Sequence, residues 1–510
     1  MITDSVTPAL FASSDHRSGA VDPVVQAGPV PPGEPGLALR LGVLTCEISP
    51  ELVDAVVEEA GCRERRRRLL PARAVVYLVL GLCLFSGADS AGPPGYRSVL
   101  RWLSQGLRSR SSRPMLVSSS AITKARQRLG VKALNLLFER LRGPLGQART
   151  PGVLAFGRRV VSWDGTALDV PDTPANTQAF GRQKGAGNPQ LRLLTLIECG
   201  THAVIDAAFA GYTQLSELAL ARQVLASLTP GLLLLADRNF PGHDLWAQAS
   251  ATGADLIWRI KKSQVFVPVT VLPDGSFLSR MHTRADTIRL GSARAKGHRC
   301  TPRDPSHLVR IIEYAVTVVS ADGTSRTELF RLVTTLLDHH DAPARAIADL
   351  YQQRWENENS YSEIKTRLRG AGFVLRSKSP DLLEQELFAF LCVYQVLAAL
   401  EVDAAEVAGI DPDRISFTVT IRSARAHIST QPATTTARLH AARQDAITDL
   451  LTDLLTDLLP PRRPRHVERI RKPPKNGTRA TKKHDHTRPN SNVHYLIEII
   501  QKAPPPQSTP

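Results

Sequence analysis

The sequence contains few cysteines and no apolar run long enough to cross a membrane. Its 510 residues include six cysteines that lie far apart without a C-x-x-C pair, namely Cys46, Cys62, Cys83, Cys199, Cys300 and Cys392. This spacing excludes a disulfide framework and a zinc signature, so we expect reduced core thiols. The longest apolar run, residues 74–85, is too short to span a bilayer, and the N-terminus has no signal-peptide pattern. We therefore expect a cytoplasmic protein with no membrane partner.

Negative charge is also in deficit. The chain has 48 Asp and Glu residues against 64 Lys and Arg residues, a net charge of +16, and its pI is near 9.9. This balance favours a polyanionic partner, nucleic acid before membrane, although a basic protein without such a partner has the same composition. The length and the 42% hydrophobic content suffice for two to four packed domains.

The N-terminal part divides into a leader and a helical region. Residues 1–40 are rich in Pro, Gly, Ser and Ala and are predicted to be a disordered leader. Residues 41–150 are predicted to be a helical domain that binds DNA. Its helical periodicity begins at SPELVDAVVEEAG, where Ser49 is a suitable cap. The basic run RERRRR (63–68) follows this segment.

The segment SSSAITKARQRLG predicts the helix that would contact DNA. Ser119 or Ser120 would cap it, and Lys124, Arg126 and Arg128 would project from it. Short helices with a basic helix among them are typical of DNA-binding domains. A small helical domain with a solvated basic face has the same pattern, so that alternative stays open.

The residues from 151 to 402 predict an α/β domain. Three consecutive strands with short turns between them, in RRVVSWDGTALDV, LRLLTLIECG and HAVIDAAFAGY, are followed by alternating helices and strands. This order indicates a mixed sheet with helices packed on it. Residues 262–337 return to strand-like runs separated by basic turns and are predicted to be a β-rich insertion. Long helices are expected after about residue 343.

Two aspartates follow apolar strands in this domain. Asp164 stands in the turn WDGT after VVSW, and Asp237 stands in ADRNF after LLLLA. Carboxylates at strand ends point into the crevice where α/β proteins bind ligands. Asp is also a good turn former, so each residue taken alone is more simply explained as a turn cap.

A helical stripe in YQQRWENENSYSEIK adds a third carboxylate. On a regular α-helix, Tyr351, Arg354, Glu358 and Lys365 share an arc of roughly 60° beside the apolar stripe. A salt-bridge ladder would explain the charges but not the tyrosine or the two Asp turns. Three carboxylates from two strand ends and one helix could hold two Mg²⁺ ions for phosphoryl transfer, with Mn²⁺ as the expected substitute. The two cations could then pair with phosphates.

These residues resemble a known family. Tyr351, Arg354, Glu358 and Lys365 have the Y-(2)-R-(3)-E-(6)-K spacing of bacterial insertion-sequence transposases of the insertion-sequence-four type. WDGTALDVPDTPANTQAFGR and LLADRNFPG resemble the segments around the family's two aspartates. SPELVDAVVEEAG and the residues after it resemble the family's N-terminal domain, and the similarity extends over about residues 41–430.

The resemblance implies a ribonuclease H-like fold with helices on both faces of a mixed sheet, a β-rich insertion and a preceding helical domain. It implies that Asp164, Asp237 and Glu358 are catalytic metal ligands, and that Tyr351, Arg354 and Lys365 contact DNA. The implied partners are double-stranded DNA, as terminal inverted repeats and as target, and a second copy in a homodimeric synaptic complex. The implied location is the bacterial cytoplasm, on the nucleoid. A non-catalytic remnant of such an element and a plain Mg²⁺ nuclease are the alternatives.

The remaining patterns are weaker. Residues 403–460 are predicted to be a helical C-terminal region, in which the repeat TDLLTDLLTDLL packs on its own chain or on another copy. Residues 461–510 are predicted to be a basic disordered tail that adds phosphate affinity. Asp169 and Asp172 could support the metal site but are more simply turn residues. Phe330 could stack on a flipped base, or belong to the core.

Overall fold

The computed structural model describes residues 42–502 except 67, 88–91, 105–116, 262, 299, 320–324, 373, 431–435 and 462–493. The predicted leader, residues 1–40, therefore lies outside the described residues. So does most of the predicted tail.

The N-terminal region is helical, as predicted. Its helices are α1 (Pro50–Glu59), α2 (Ala72–Leu84), α3 (Tyr96–Leu103), α4 (Ser119–Leu129) and α5 (Lys132–Leu141). The Ser49 hydroxyl caps α1 by accepting the Leu52 N–H at 3.2 Å. Helix α4 is capped by Ser118, which accepts the Ala121 N–H. The prediction that Ser119 or Ser120 caps this helix is therefore wrong. The helix thus begins one or two residues earlier than predicted.

Five strands of an 11-stranded sheet follow, in the order β4-β3-β2-β5-β6. Strands β2, β3 and β4 pair in antiparallel fashion, while β5 and β6 run parallel to β2. This is the order of a ribonuclease H-like sheet. The bounds in this region are β1 (Leu154–Ala155), β2 (Arg158–Asp169), α6 (Pro174–Phe180), β3 (Gln190–Glu198), β4 (Val204–Gly211), α7 (Glu217–Gln223), β5 (Leu232–Ala236), α8 (His243–Ala251) and β6 (Asp255–Arg259). The short turn predicted between the first two long strands is wrong, because α6 lies there.

The predicted insertion extends the same sheet. Its elements are β7 (Thr270–Val271), β8 (Phe277–Met281), α9 (Arg284–Ala295), β9 (His307–Val319) and β10 (Ser325–Thr334). Strand β10 pairs with β6 and with β9, so the order continues as β6-β10-β9-β8-β7. Helix α9 covers part of a segment predicted to be a basic turn.

The segment after the insertion is helical but irregular. Helix α10 (Ala344–Tyr351) continues through a 3₁₀ turn (Gln352–Trp355), α11 (Glu356–Ser362) and a π-helical turn (Glu363–Leu368). The prediction of one regular α-helix here is therefore wrong, since the pitch changes three times. Helix α12 (Pro380–Ala408) crosses the predicted domain boundary at 402, and α13 (Phe417–Thr430) and α14 (Thr436–Thr456) follow.

Helices cover both faces of the sheet, as predicted. On one face, Val161 and Trp163 of β2 pack with residues of α7 and α8. On the other face, Val160 of β2 and Leu233 of β5 pack with residues of α10. A third and larger core joins α12 to the N-terminal helices and to α13 and α14, and Leu450 and Leu454 of the TDLL repeat are fully buried in it. The repeat therefore packs on its own chain.

Helix α12 is long and apolar enough to cross a membrane by length and composition. However, 89% of its most apolar 18-residue window is buried inside the protein. Such burial is typical of a core helix in a water-soluble fold.

A strand lies within the tail that was predicted to be disordered. Strand β11 (His494–Ile499) pairs in antiparallel fashion with β9, with Ile499 opposite Tyr314. Arg345 donates to the Ile497 carbonyl at 2.7 Å, and Lys502 pairs with Glu313 at 2.6 Å. The prediction of a wholly disordered tail is therefore wrong for this segment.

Candidate active site

The two aspartates occupy matching positions on neighbouring parallel strands. The β2–β5 pairing ends with Ser162 opposite Leu235, and Asp164 and Asp237 each come two residues later. Because side chains alternate along a strand, both aspartates fall on the face that carries Val160 and Leu233. Adjacent strands are about 4.8 Å apart, so this register brings the two residues side by side. The prediction that Asp164 stands in a turn after its strand is wrong, because β2 continues to Asp169.

Arg354 and Glu358 reach this sheet edge from the facing helical segment. One guanidinium nitrogen of Arg354 lies 3.3 Å from an Asp164 carboxylate oxygen, and the other lies 3.4 Å from Glu358. The side chain of Arg354 is only 6% exposed, whereas those of Asp164 and Glu358 are 19% and 38% exposed. The arginine therefore sits beneath carboxylates that remain open to solvent.

Burial and neighbouring charges shift the pKa values of Asp164 and Arg354 in opposite directions. Burial raises the pKa of Asp164 to about 6, and Arg354 and the Gly165 N–H oppose that rise. Burial lowers the pKa of Arg354, but Tyr351, Asp237, Asp164 and Glu358 together outweigh this and raise it overall. All three predicted carboxylates thus interact electrostatically with one guanidinium, which leaves the cluster with excess negative charge.

Asn357 and Tyr361 dock α11 onto the sheet on either side of Glu358. The Asn357 amide is fully buried and donates to the carbonyls of Ser162 and Thr195 at 3.0 and 3.2 Å. The Tyr361 hydroxyl donates to the Asp164 carbonyl at 2.5 Å and accepts the Thr195 N–H at 3.0 Å. These bonds fix Glu358 relative to Asp164.

A buried histidine holds the same helical segment from its other side. His202 follows β3 with a left-handed φ of 61°. Its two ring nitrogens lie 2.9 Å from Glu356 and 3.2 Å from Glu363. Burial lowers the pKa of His202, but the two carboxylates outweigh it and raise the pKa to about 10. A charged His202 therefore binds Glu356 and Glu363, which lie before and after Glu358 in the chain. The sequence did not predict this role, because the partners of His202 lie more than 150 positions away.

The other members of the predicted stripe support the sheet. Tyr351 is buried and donates to the Ala236 carbonyl at 3.1 Å, next to Asp237, so its predicted DNA contact is wrong. Lys365 donates to Thr166 Oγ1 and to the Ala167 carbonyl, both at 2.9 Å. DNA contacts by Arg354 and Lys365 stay predictions.

In the N-terminal region, only two of the three predicted basic side chains on α4 face solvent. Lys124 and Arg128 are exposed, whereas Arg126 is 1% exposed. Arg126 donates to Gln385, to Ser377 and to the Leu382 carbonyl. Its predicted DNA contact is therefore wrong, because it joins α4 to the start of α12.

A basic pocket of about 420 Å³ opens beside Arg128. The loop between α1 and α2 supplies its other cations, so that the pocket is lined by Arg63, Arg65, Arg66, Arg68 and Arg128. Four arginines of the run RERRRR thus lie close to α4 in space, which no local pattern in the sequence indicates.

The weaker candidates belong to the surface or to the core. Asp169 accepts from Gln190, and Asp172 accepts from Thr177 and Arg182, as turn and surface residues do. Phe330 stacks on Tyr314 with ring centroids 5.3 Å apart.

The donor chemistry of the three carboxylates suits divalent metals. Carboxylate oxygens are the ligands that Mg²⁺ prefers, and few of them are needed because the ion keeps several waters. Asp164, Asp237 and Glu358 supply such oxygens at a partly open sheet edge with excess negative charge.

Comparisons with known proteins agree with this arrangement. Residues 155–396 match the family described as Transposase DDE domain, and residues 38–139 match the one described as Insertion element 4 transposase N-terminal. The chain is 30% identical over 381 residues to Transposase InsG for insertion sequence element IS4 of Escherichia coli K12, covering 72% of this chain and 79% of that protein. It is 29% identical over 150 residues to Putative transposase InsZ of the same organism, covering 28% and 50%. The solved piggyBac transposase synaptic complex with hairpin DNA gives a TM-score of 0.39 at 7% identity, covering 80% of this chain and 84% of that one.

The fold and the domain match define a class of protein, the DNA transposases of the Asp-Asp-Glu type on a ribonuclease H-like sheet. Both parts of the chain also match the insertion element 4 group. The chain belongs to the IS4 family of insertion-sequence transposases.

Proposed function

We propose that this transposase binds the terminal inverted repeats of its own element, cuts the DNA there and joins the freed 3′-hydroxyl to target DNA. Asp164, Asp237 and Glu358 would hold Mg²⁺, or Mn²⁺ in its place. The observation that carries the proposal is the matched register of Asp164 and Asp237 after the β2–β5 pairing, with Glu358 held above them by Arg354.

The chemistry follows from the donor set. When bound, divalent cations supply activation of a water or 3′-hydroxyl and stabilisation of the departing oxygen. Asp164 and Glu358 would orient the reacting phosphate through those ions, and Arg354 balances part of their charge. Lys365 holds β2 beyond Asp164, so the edge keeps its shape when DNA binds.

The basic pocket would grip the DNA backbone. Its five arginines form a concave surface on the N-terminal helices, which suits phosphates more than base edges. Lys124 lies on the same helix as Arg128 and extends that surface.

The protein would act as a homodimer, because two element ends must be brought together. Its location would be the bacterial cytoplasm.

The test is cleavage of linear DNA that carries the element's own ends, with Mg²⁺. Wild type is compared with Glu358→Gln and with the control Glu406→Gln. Glu406 lies near the end of α12, far from the candidate site in the chain, and forms an exposed ion pair with Arg149. We expect wild type and the control to cut at the element boundary, and Glu358→Gln to bind the ends without cutting. Added target DNA then tests strand transfer.

Two other outcomes would count against the proposal. If all proteins bind and none cuts with any divalent metal, the protein is a non-catalytic remnant. If wild type cuts but never joins ends to target DNA, it is a Mg²⁺ nuclease on this fold.

A further inference from the structure

A fourth carboxylate, Glu217, reaches the candidate site from the opposite face of the sheet. Glu217 is the first residue of α7, which packs against β3 and β4 and whose cap is Ser216. Its carboxylate lies against Gly165, the residue that directly follows Asp164 in β2. A Cβ atom added to Gly165 would stand 2.0 Å from Glu217 Oε1 and 2.7 Å from its Cδ.

The missing side chain of Gly165 is what admits this carboxylate. Gly165 is not among the glycines with a left-handed φ, so its backbone conformation does not require glycine. Strand β2 also continues with regular pairing, Gly165 standing opposite Leu194. The close approach of Glu217 is therefore the visible reason for a glycine at this position.

Two acidic side chains approach Gly165. The Gly165 N–H donates to Asp164 Oδ1 at 2.8 Å, and the Glu217 carboxylate lies against the same glycine. Burial raises the pKa of Glu217, and the charge of Asp237 raises it further, while Arg192 opposes both. Glu217 therefore lies within electrostatic range of both Asp164 and Asp237.

We propose that Glu217 is a fourth acidic residue of the active site, which strengthens divalent-metal binding beside Asp164 and Asp237. The inference rests on the proposed function, since it concerns the metals that Asp164, Asp237 and Glu358 would hold. Glu217 would act through a metal-bound water or by direct coordination. Gly165 is then a positioning residue that leaves room for it.

The alternative is a structural pair between Glu217 and Arg192 that only secures α7. Arg192 stacks on Tyr212 at 4.4 Å, so it has a structural partner of its own. The two roles differ in one measurable respect. A structural pair affects stability and leaves metal affinity unchanged, whereas a metal-site carboxylate changes the affinity itself.

The test is Mn²⁺ binding to the full chain, followed by the electron paramagnetic resonance signal of free Mn²⁺. We expect Glu217→Gln to weaken binding about tenfold, the lower end of what removal of a supporting group costs a metal site. Glu217→Asp keeps the charge and should weaken it less. Glu406→Gln serves as the matched control, since Glu406 also pairs with an arginine.

Gly165→Ala gives an independent check without removing any charge. Its Cβ must displace the Glu217 carboxylate, so the single variant should weaken Mn²⁺ binding as Glu217→Gln does. The double variant should then bind no more weakly than Glu217→Gln alone. In cleavage assays, the Mg²⁺ concentration for half-maximal rate should rise about tenfold in Glu217→Gln, with partial recovery at high Mg²⁺.

The outcomes separate the two claims. If Glu358→Gln loses Mn²⁺ binding while Glu217→Gln matches wild type, the role of Glu217 is overturned and the proposed function stands. If wild type itself binds no Mn²⁺, the proposed metal site fails and the inference fails with it.

Discussion

At the scale of single residues, Arg354 is the cation with which all three carboxylates of the candidate site interact. Its two terminal nitrogens serve different carboxylates, Asp164 at 3.3 Å and Glu358 at 3.4 Å. Only a planar, forked cation can hold two acceptors in fixed directions. The geometry of the two carboxylates therefore depends on arginine and not on positive charge alone.

Arg354→Lys should lower cleavage sharply while leaving the fold intact. A hydrogen bond to a charged group contributes about 1.5–3 kcal/mol, so losing one of the two predicts a roughly tenfold to hundredfold slower rate. The measurement is the single-turnover cleavage rate beside a thermal unfolding curve. Arg140→Lys, in an exposed pair with Glu59, is the control and should keep the wild-type rate. A wild-type rate in Arg354→Lys would show that charge alone suffices.

Arg126 and Arg128 should separate stability from DNA binding, although they lie two positions apart on α4. Arg126→Met leaves buried Gln385, Ser377 and the Leu382 carbonyl without their donor, which should cost on the order of 3 kcal/mol of stability. Arg128→Met removes an exposed pocket cation and should weaken DNA binding with little change in melting temperature. Thermal denaturation and DNA titration at one fixed salt concentration measure both. Equal loss of DNA affinity at constant melting temperature in both variants would contradict the assignment.

The sequence predicted some of these residues for physical reasons and missed others for equally clear ones. Asp164 and Asp237 follow apolar runs, so their proximity follows from strand order. The error at Arg126 was avoidable, because Ile122, Ala125 and Leu129 mark its face of the helix as buried. His202 offers no local pattern, since its partners come from a distant helix.

At the scale of elements, the irregular segment from α10 to the π-helical turn differs most from what the sequence predicts. Periodicity predicts which side of a helix is apolar, but it does not report a change of pitch. The π-helical turn is the part that brings Lys365 to the Ala167 carbonyl. Strands β2 to β6 were predictable because their apolar runs are separated by clear turns and helices.

The end of this segment touches the N-terminal helices at Gly87. The Gly87 N–H donates to the Leu368 carbonyl at 3.1 Å, and an added Cβ would stand 2.9 Å from that same oxygen. Gly87 thus connects the end of α2 to the turn that follows Glu358.

Gly87→Ala should therefore disturb catalysis more than DNA binding. Backbone atoms must move to admit the methyl group, at a cost of about 1–3 kcal/mol, and the shift passes into the π-helical turn. Cleavage rate and affinity for the element ends are measured on the same preparation. Gly95→Ala is the control, because its Cβ would meet nothing within 4 Å. Unchanged cleavage in Gly87→Ala would show that the two regions are not coupled here.

At the scale of the whole molecule, the C-terminal segment returns to the insertion by way of β11. Composition could not predict this strand, because the long basic, proline-containing stretch before it dominates the composition of the C-terminal segment. Ile497 and Ile499 pack on the core that also holds Tyr314, so the strand both pairs with β9 and buries apolar surface. The chain that follows residues 462–493 is thereby held by the folded protein.

Two variants should separate the strand from the charge that precedes it. Deletion of residues 462–510 removes β11, its bond to Arg345 and the Lys502–Glu313 pair, so it should lower both the melting temperature and the DNA affinity. Replacement of residues 462–493 by a neutral Gly/Ser linker of equal length keeps β11, so it should lower the affinity alone. The slope of log affinity against log salt should become shallower by roughly 0.9 for each DNA phosphate that the basic stretch neutralises in the wild type. A linker variant that melts as early as the deletion would show that the basic stretch, and not β11, stabilises the insertion.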